Sequence, residues 1–297
     1  MLKRLAIGFC CWLGSLTLYA QNGVLVFQSD FGLKDGAVSA MKGVALGVST
    51  NLHLVDLTHD IPAFNIWEAA YRLLQTAPYY PKGTVFVSVC DPGVGTERKS
   101  VVLLTKTGHY FVTPDNGTLT LIAEKMGVQE VRQINEAINR LKSSEESYTF
   151  HGRDVYAYTA ARLAARAISF EQVGKKLPAS VTKITYQKPT LEKGLLKGNI
   201  PILDVQYGNI WTNIPKDLIN QLGAKTGDRL QVEIFNETEK VFSEKIQLVN
   251  TFGEAATGEN VAYFNSLLNF SVAVNMGNFA EKYHVSSGPS WRIEIKK

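Results

Sequence analysis

The chain has 297 residues, 45% of them hydrophobic and 20% charged, which excludes a disordered or fibrous polymer and leaves room for two globular cores. Its 31 Lys and Arg against 27 Asp and Glu give a formal charge of +4; the basic residues are scattered, so composition makes no case for nucleic acid as a partner. The expected partner is a small molecule.

Met1-Leu2-Lys3-Arg4 precedes an uncharged apolar run that ends at Ala20. A basic start, a short apolar stretch and a small final residue predict a signal peptide over 1–20 and an exported protein, periplasmic or secreted. The run is short for a spanning helix, so no membrane attachment is expected after cleavage. Removal of Cys10 and Cys11 leaves Cys90 as the one cysteine, which rules out an internal disulfide even in an oxidising compartment.

From residue 24 apolar strands alternate with amphipathic helices: strands over 24–28, 52–57 and 85–89, helices over 36–48 and 67–77. That alternation predicts an α/β domain with a mainly parallel sheet. The segments 101–104 and 110–112 read as a hairpin around a tight turn, followed by a short helix over 119–125 and a strand over 130–134. An alanine-rich run predicts a helix from Asp154 to about Ala167. A weakly patterned stretch through Leu177-Pro178 and Lys188-Pro189 reads as a linker. Beyond it, short segments over 198–206, 229–235, 241–249, 261–264, 270–274 and 291–295 predict a small antiparallel β-barrel or sandwich. The division is therefore 21–185 for the α/β domain and 186–297 for the barrel.

Two segments carry the chemistry. Cys90-Asp91-Pro92-Gly93-Val94-Gly95-Thr96-Glu97-Arg98 follows the third strand, so Asp91 falls at a strand's C-terminal end. Phe150-His151-Gly152-Arg153-Asp154 opens the alanine-rich helix. A carboxylate, a guanidinium and an imidazole can thus converge at one sheet edge, where α/β proteins place their sites. Taken singly, each segment also reads as an ordinary turn or helix cap. Cys90, ending an apolar strand, reads as packing more readily than as a nucleophile. The five histidines show no metal-ligand spacing, and His53 and His59 read as structural, so no metal is expected.

Five segments in one order resemble the S-adenosyl-L-methionine hydroxide adenosyltransferase family, hydrolases related to fluorinating and chlorinating enzymes. They are Ser29-Asp30-Phe31-Gly32 with Asp35, the Asp91 segment with Arg98, Pro114-Asp115-Asn116-Gly117, the His151 segment, and the run from Asp204 through Tyr207, Asn209 and Trp211 to Asn213. The resemblance runs from about Val24 to the C-terminus. It implies an α/β N-terminal domain, a C-terminal β-barrel, and a homotrimer with active sites between subunits. It also implies hydrolysis of S-adenosyl-L-methionine to adenosine and methionine by water attacking C5′, with no cofactor because the substrate's own sulfonium activates that carbon.

By the same resemblance Asp91, Arg98 and His151 form the water-activating set, in which Arg98 fixes the direction of Asp91 and His151 shares the water's proton. Asp30 resembles the ribose-binding aspartate; Asp35 and Asp204 resemble acids around the methionine ammonium. Asn209 matches an adenine-pairing amide, Phe252 with Tyr207 or Trp211 offers aromatic faces, though Trp211 also reads as packing, Phe64 stands near the ribose, and Ser266 resembles a carboxylate-binding serine. Some relatives have arginines where this chain has Leu267 and Val274, which leaves the methionine carboxylate to other donors. Two other functions stay open. One is an exported, non-catalytic binder of adenosine or S-adenosylmethionine, since that substrate is made in the cytoplasm. The other is a halogenase, disfavoured because a carboxylate beside the attack position repels an anion and residues 106–109 form only a tight turn.

Overall fold

β-branched runs with no helical period form the centre of the first sheet, and turn glycines deliver their ends to one edge. A computed structural model describes residues 21–297; the signal-peptide expectation over 1–20 lies outside the described residues. The first sheet contains β1 (Val24–Ser29), β2 (His53–Thr58), β3 (Val85–Val89), β4 (Ser100–Thr105), β5 (Tyr110–Pro114), β6 (Val128–Gln133) and β7 (Lys176–Leu177), in the order β2-β1-β3-β5-β4-β6-β7. The β2, β1, β3 and β5 strands run parallel. The expected β4–β5 hairpin is antiparallel, as are β6 and β7 beyond it, so the sheet is parallel in one half only.

Helix α1 (Ala37–Val48) buries Val38, Met41 and Ala45, one stripe at helical spacing. Helix α2 (Ile66–Thr76) begins at Asn65, whose side chain accepts from the Glu68 N–H, and buries Trp67, Ala70, Tyr71 and Leu73. Two shorter helices come next, α3 (Thr120–Met126) and α4 (Glu136–Asn139). The alanine-rich run departs from expectation: a π turn over Gly152–Ala157 precedes α5 (Tyr158–Ala164). Asp154 does not cap it; the carboxylate is fully buried and paired with Arg153 at 2.6 Å.

Residues 178–189 contain no strand or helix. The second sheet then runs through β8 (Thr190–Glu192), β9 (Leu195–Asn199), β10 (Ile202–Asp204), β11 (Asn209–Pro215), β12 (Arg229–Asn236), β13 (Glu239–Leu248), β14 (Asn260–Phe264), β15 (Asn269–Val274) and β16 (Trp291–Lys296). Its order is β10-β11-β15-β14-β13-β12-β16-β9-β8. The sheet curls until β9 meets β11, where the Asn199 N–H donates to the Asn213 side chain at 2.8 Å. The segment expected as one strand over 198–206 is two, because Pro201 cannot donate to a ladder. One short pairing, β13 with β14, is parallel rather than antiparallel. The sequence reading missed α6 (Lys216–Gln221) and α7 (Phe279–Tyr283), each too short to show a period.

The two sheets are joined by an apolar cluster of Trp67, Tyr71, Leu121 and Ile202, with Trp211 against it, and the Trp67 indole N–H donates to the Pro201 carbonyl at 2.9 Å.

Candidate active site

Three parallel strands end side by side, and the residues just past each end build the site. Asp30 lies directly after β1, and its N–H donates to the Val89 carbonyl at the end of β3 at 3.2 Å. Asp91 comes after β3, one residue beyond Cys90. The Asn116 amide beyond β5 donates to the Cys90 carbonyl at 2.9 Å, which fixes the backbone just ahead of Asp91. The chain then turns tightly: the Val94 N–H returns to the Asp91 carbonyl, and Gly95 sits at φ +78° with a would-be Cβ only 3.2 Å from the Tyr148 carbonyl. Only glycine fits that position without strain. The turn brings Arg98 back over Asp91.

Arg98 grips Asp91 with Nε at 2.9 Å from Oδ1 and 3.1 Å from Oδ2, and Nη2 at 2.6 Å from Oδ2. The two side chains are 11% and 5% exposed, so little water competes for the pair. The Arg98 Nη2 also stands 3.0 Å from His151 Nδ1. The expected trio is therefore one hydrogen-bonded unit. Tyr156, on the π turn, donates its hydroxyl to Asp91 Oδ2 at 3.3 Å. Burial, then the Asp91 charge, pushes the Tyr156 phenol pKa far up, so it remains a donor.

Beyond this trio lie partners that sequence reasoning missed. Arg98 Nη1 donates to Ser100 Oγ at 3.1 Å, and that hydroxyl lies 3.4 Å from Glu136 Oε1. Glu136 Oε2 accepts from Arg140 Nη2 at 2.6 Å, and the same nitrogen is 3.1 Å from His151 Nε2. Arg98, Ser100, Glu136, Arg140 and His151 thus close a ring. The i,i+4 spacing of Glu136 and Arg140 signals an ion pair, but nothing local in sequence says that it reaches the histidine.

Burial lowers the His151 pKa from the ordinary 6.5. The Arg98 and Arg140 charges push it the same way, while Glu136 and Asp91 oppose them. For Arg98, burial is the largest single influence and opposes the charge, but the hydrogen bond to Asp91 and the electrostatic pull of Tyr156, Asp91 and Glu136 together outweigh it and raise the pKa above the ordinary guanidinium value. Cys90 is fully buried and its thiol pKa is raised, chiefly by desolvation. It is packing, not a nucleophile.

A cavity of about 240 Å³ is lined by Asp30, Phe31, Phe64, Asp91, His151 and Gly152, among others. Phe64 is held at φ +68°, a left-handed conformation costing a β-carbon residue on the order of 1–2 kcal/mol. Its N–H donates to Asp30 Oδ2 at 2.9 Å, which locks that geometry, and the residue is 71% exposed. A larger cleft, near Asp60 and Tyr79, contains none of the expected residues, and its Arg72 is already paired with Glu68 at 3.1 Å.

The remaining expected residues lie elsewhere in the chain. Asp35 accepts from the Ala37 N–H at 2.9 Å at the start of α1 and does not border the cavity. Asp204 lies at the end of β10, opposite Asn209 on β11, and lines a different cleft with Pro62 and Asn65. Phe252 sits on a short 3₁₀ turn closed by a Thr251–Glu254 capping box, its ring 5.0 Å from Tyr263. Burial raises the Tyr263 phenol; the Asp204 charge adds to this and hydrogen bonding to Asn209 opposes it, so Asp204, Asn209 and Phe252 gather around one tyrosine. Tyr207 is 64% exposed in the turn after β10, and exposed Ser266 sits in the β14–β15 turn. Within one chain, none of these second-domain residues borders the Asp91 cavity. Among the described residues, no group of three or more His, Cys, Asp or Glu is placed to hold a metal ion.

The family models for the SAM hydroxide adenosyltransferase N-terminal and C-terminal domains match residues 25–174 and 198–292. The chain belongs to this family. Among SAM hydroxide adenosyltransferase relatives, the (R)-S-adenosyl-L-methionine hydrolase of Methanocaldococcus jannaschii is 35% identical over 264 residues, covering 87% of each chain. A fluorinase from Actinopolyspora mzabensis is 28% identical and covers 91% of this chain and 96% of its own. The crystal structure of an uncharacterized conserved protein from Thermotoga maritima superposes with a TM-score of 0.81 at 35% identity, over 92% of this chain and all of that one.

Proposed function

We propose that this protein hydrolyses S-adenosyl-L-methionine to adenosine and L-methionine. The observation that carries the reading is the Asp91–Arg98–His151 unit facing a cavity that Asp30 and Phe64 also line, in a chain whose relatives include named hydrolases.

In the reaction a water oxygen attacks C5′ as the C5′–S bond breaks. The bonding pair stays on sulfur, which becomes the neutral thioether of methionine, and one water proton is shed. Asp91 accepts a hydrogen bond from the water and fixes its line of attack, because Arg98 leaves its carboxylate no freedom to turn. Alignment of this kind is worth several decades of rate and proton acceptance about two to four more. Asp30 serves the ribose hydroxyls, with Phe64 over the sugar. The sulfonium supplies the electrophile, so the reaction requires no Lewis acid.

The adenine and methionine ends fall to Asn209, Phe252, Tyr207, Asp204, Asp35 and Ser266. The family resemblance implies a homotrimer; the exposed Phe64, Tyr207 and Phe252 are apolar surface that such an assembly would cover if the second domain of one copy closed the cavity of the next. We also propose export with loss of residues 1–20, on the strength of Lys3 and Arg4 ahead of a short apolar run. Intact mass of protein from the cell envelope tests it, and a full-length cytosolic product would contradict it. Halogenation is disfavoured by Asp91 on the cavity wall. Incubation with S-adenosylmethionine and chromatography for adenosine tests the reaction itself.

A further inference from the structure

His151 is flanked on both ring nitrogens by arginine. Arg98 Nη2 is 3.0 Å from Nδ1 and Arg140 Nη2 is 3.1 Å from Nε2. An arginine offers only donors, a neutral imidazole has one acceptor nitrogen, and an imidazolium has none. Protonating His151 would therefore set two cationic donors against a third cation with no lone pair to receive either. Arg140 is not free to swing away. Its Nη2 donates to Glu136 Oε2 at 2.6 Å, its Nη1 lies 3.1 Å from the Ser147 carbonyl and 3.4 Å from the Ser144 carbonyl, and the side chain is 11% exposed.

We infer that Arg140, anchored by Glu136, is a positioning residue that holds His151 as a neutral imidazole while water attacks. This rests on the hydrolase reading for its catalytic meaning, but the clamp itself is made of this chain's own side chains. The consequence is a division of labour within the trio: the proton leaving water comes to rest on the Asp91 carboxylate, forming an O–H bond there, while His151, with an arginine against each ring nitrogen, stays uncharged and takes no proton. The groups facing His151 are Arg98 before β4, Asp91 after β3, and Glu136 and Arg140 on and just after α4, with the Tyr156 hydroxyl joined to Asp91. Burial, the largest influence, and the two guanidiniums lower the His151 pKa in the direction this clamp requires, while Glu136, acting more strongly than either guanidinium, and Asp91 oppose them.

The test is the titration of His151 followed by NMR on protein carrying ¹³C-labelled histidine, with His151→Gln used to assign the signal, alongside the pH profile of kcat. Arg140→Gln removes a cation, so the His151 midpoint should move up, and the acid limb of kcat should move up with it as the neutral form is lost at higher pH. Glu136→Gln removes an anion but keeps an acceptor for Arg140, so the midpoint should move down. KM should stay within about twofold in both, since neither residue touches the nucleoside. Arg140→Lys restores the charge and should return the midpoint toward wild type, which also covers the case in which Arg140→Gln folds poorly. A midpoint that stays put in Arg140→Gln and Glu136→Gln, or moves the same way in both, would overturn the inference even if kcat falls. Wild-type protein that forms no adenosine would defeat the hydrolase reading alone, because the titration is read without substrate.

Discussion

Arg98 holds Asp91 through three contacts of 2.6 to 3.1 Å, with both carboxylate oxygens engaged and both side chains nearly out of solvent. A pair gripped at two points cannot rotate as one gripped at a single point can. The direction of the carboxylate is thereby set before substrate arrives.

Asp91→Asn keeps the shape and removes the proton acceptor, so kcat should fall by about 10²- to 10⁴-fold with KM little changed. Arg98→Lys replaces a planar fork by a point charge and should also lower kcat, by less. Steady-state kinetics on folded variants checks both. Full activity in Asp91→Asn would remove this carboxylate from the mechanism.

Asp30→Ala should act first on binding. Its carboxylate is proposed to serve the ribose, and its Oδ2 also fixes the strained Phe64 backbone through the 2.9 Å bond from the Phe64 N–H. KM should rise by at least about tenfold, the scale of one lost charge-assisted hydrogen bond. An unchanged KM with a lower kcat would shift Asp30 from binding to chemistry.

Mixed assembly tests the proposal that each site is shared between two copies. Asp91→Asn chains and Asn209→Ala chains should each be impaired, and unfolding and refolding them together should regain turnover, because some cavities then pair an intact first domain with an intact second domain of a neighbouring copy. A mixture no more active than its parts, in a protein that migrates as a monomer, would mean that one chain closes its own site.

High chloride or fluoride should give no halogenated nucleoside at a rate comparable to hydrolysis, since Asp91 on the cavity wall disfavours an anion where water attacks. Mass spectrometry of the products reads this out, and a dominant 5′-halo product would reverse the assignment of the trio.

Much of this was legible in the chain because the informative signals are local. The β-branched run of β3 followed by Asp91-Pro92-Gly93 marks a strand end, and β4 and β5 announce their hairpin by the tight turn between them. The features that were not legible depend on contacts distant in sequence. Arg140 reaches His151 across the polar segment 141–147, and Ser100 links Arg98 to Glu136 from another strand. The π turn at Gly152 packs where a Cβ would stand 3.2 Å from the Phe31 ring, a contact distant in sequence that helix propensity does not report. Asp35 reads identically as a ligand for an ammonium and as an acceptor for the first helical N–H, and only the second contact lies within the chain.

The central claim is that water, aligned by Asp91, attacks C5′. Turnover of S-adenosylmethionine in ¹⁸O-labelled water, with the products weighed by mass spectrometry, tests it most directly. The expected result is adenosine carrying one ¹⁸O at its 5′ oxygen, methionine without label, and loss of that product in Asp91→Asn. Adenosine without label, or no adenosine from folded protein, would contradict it.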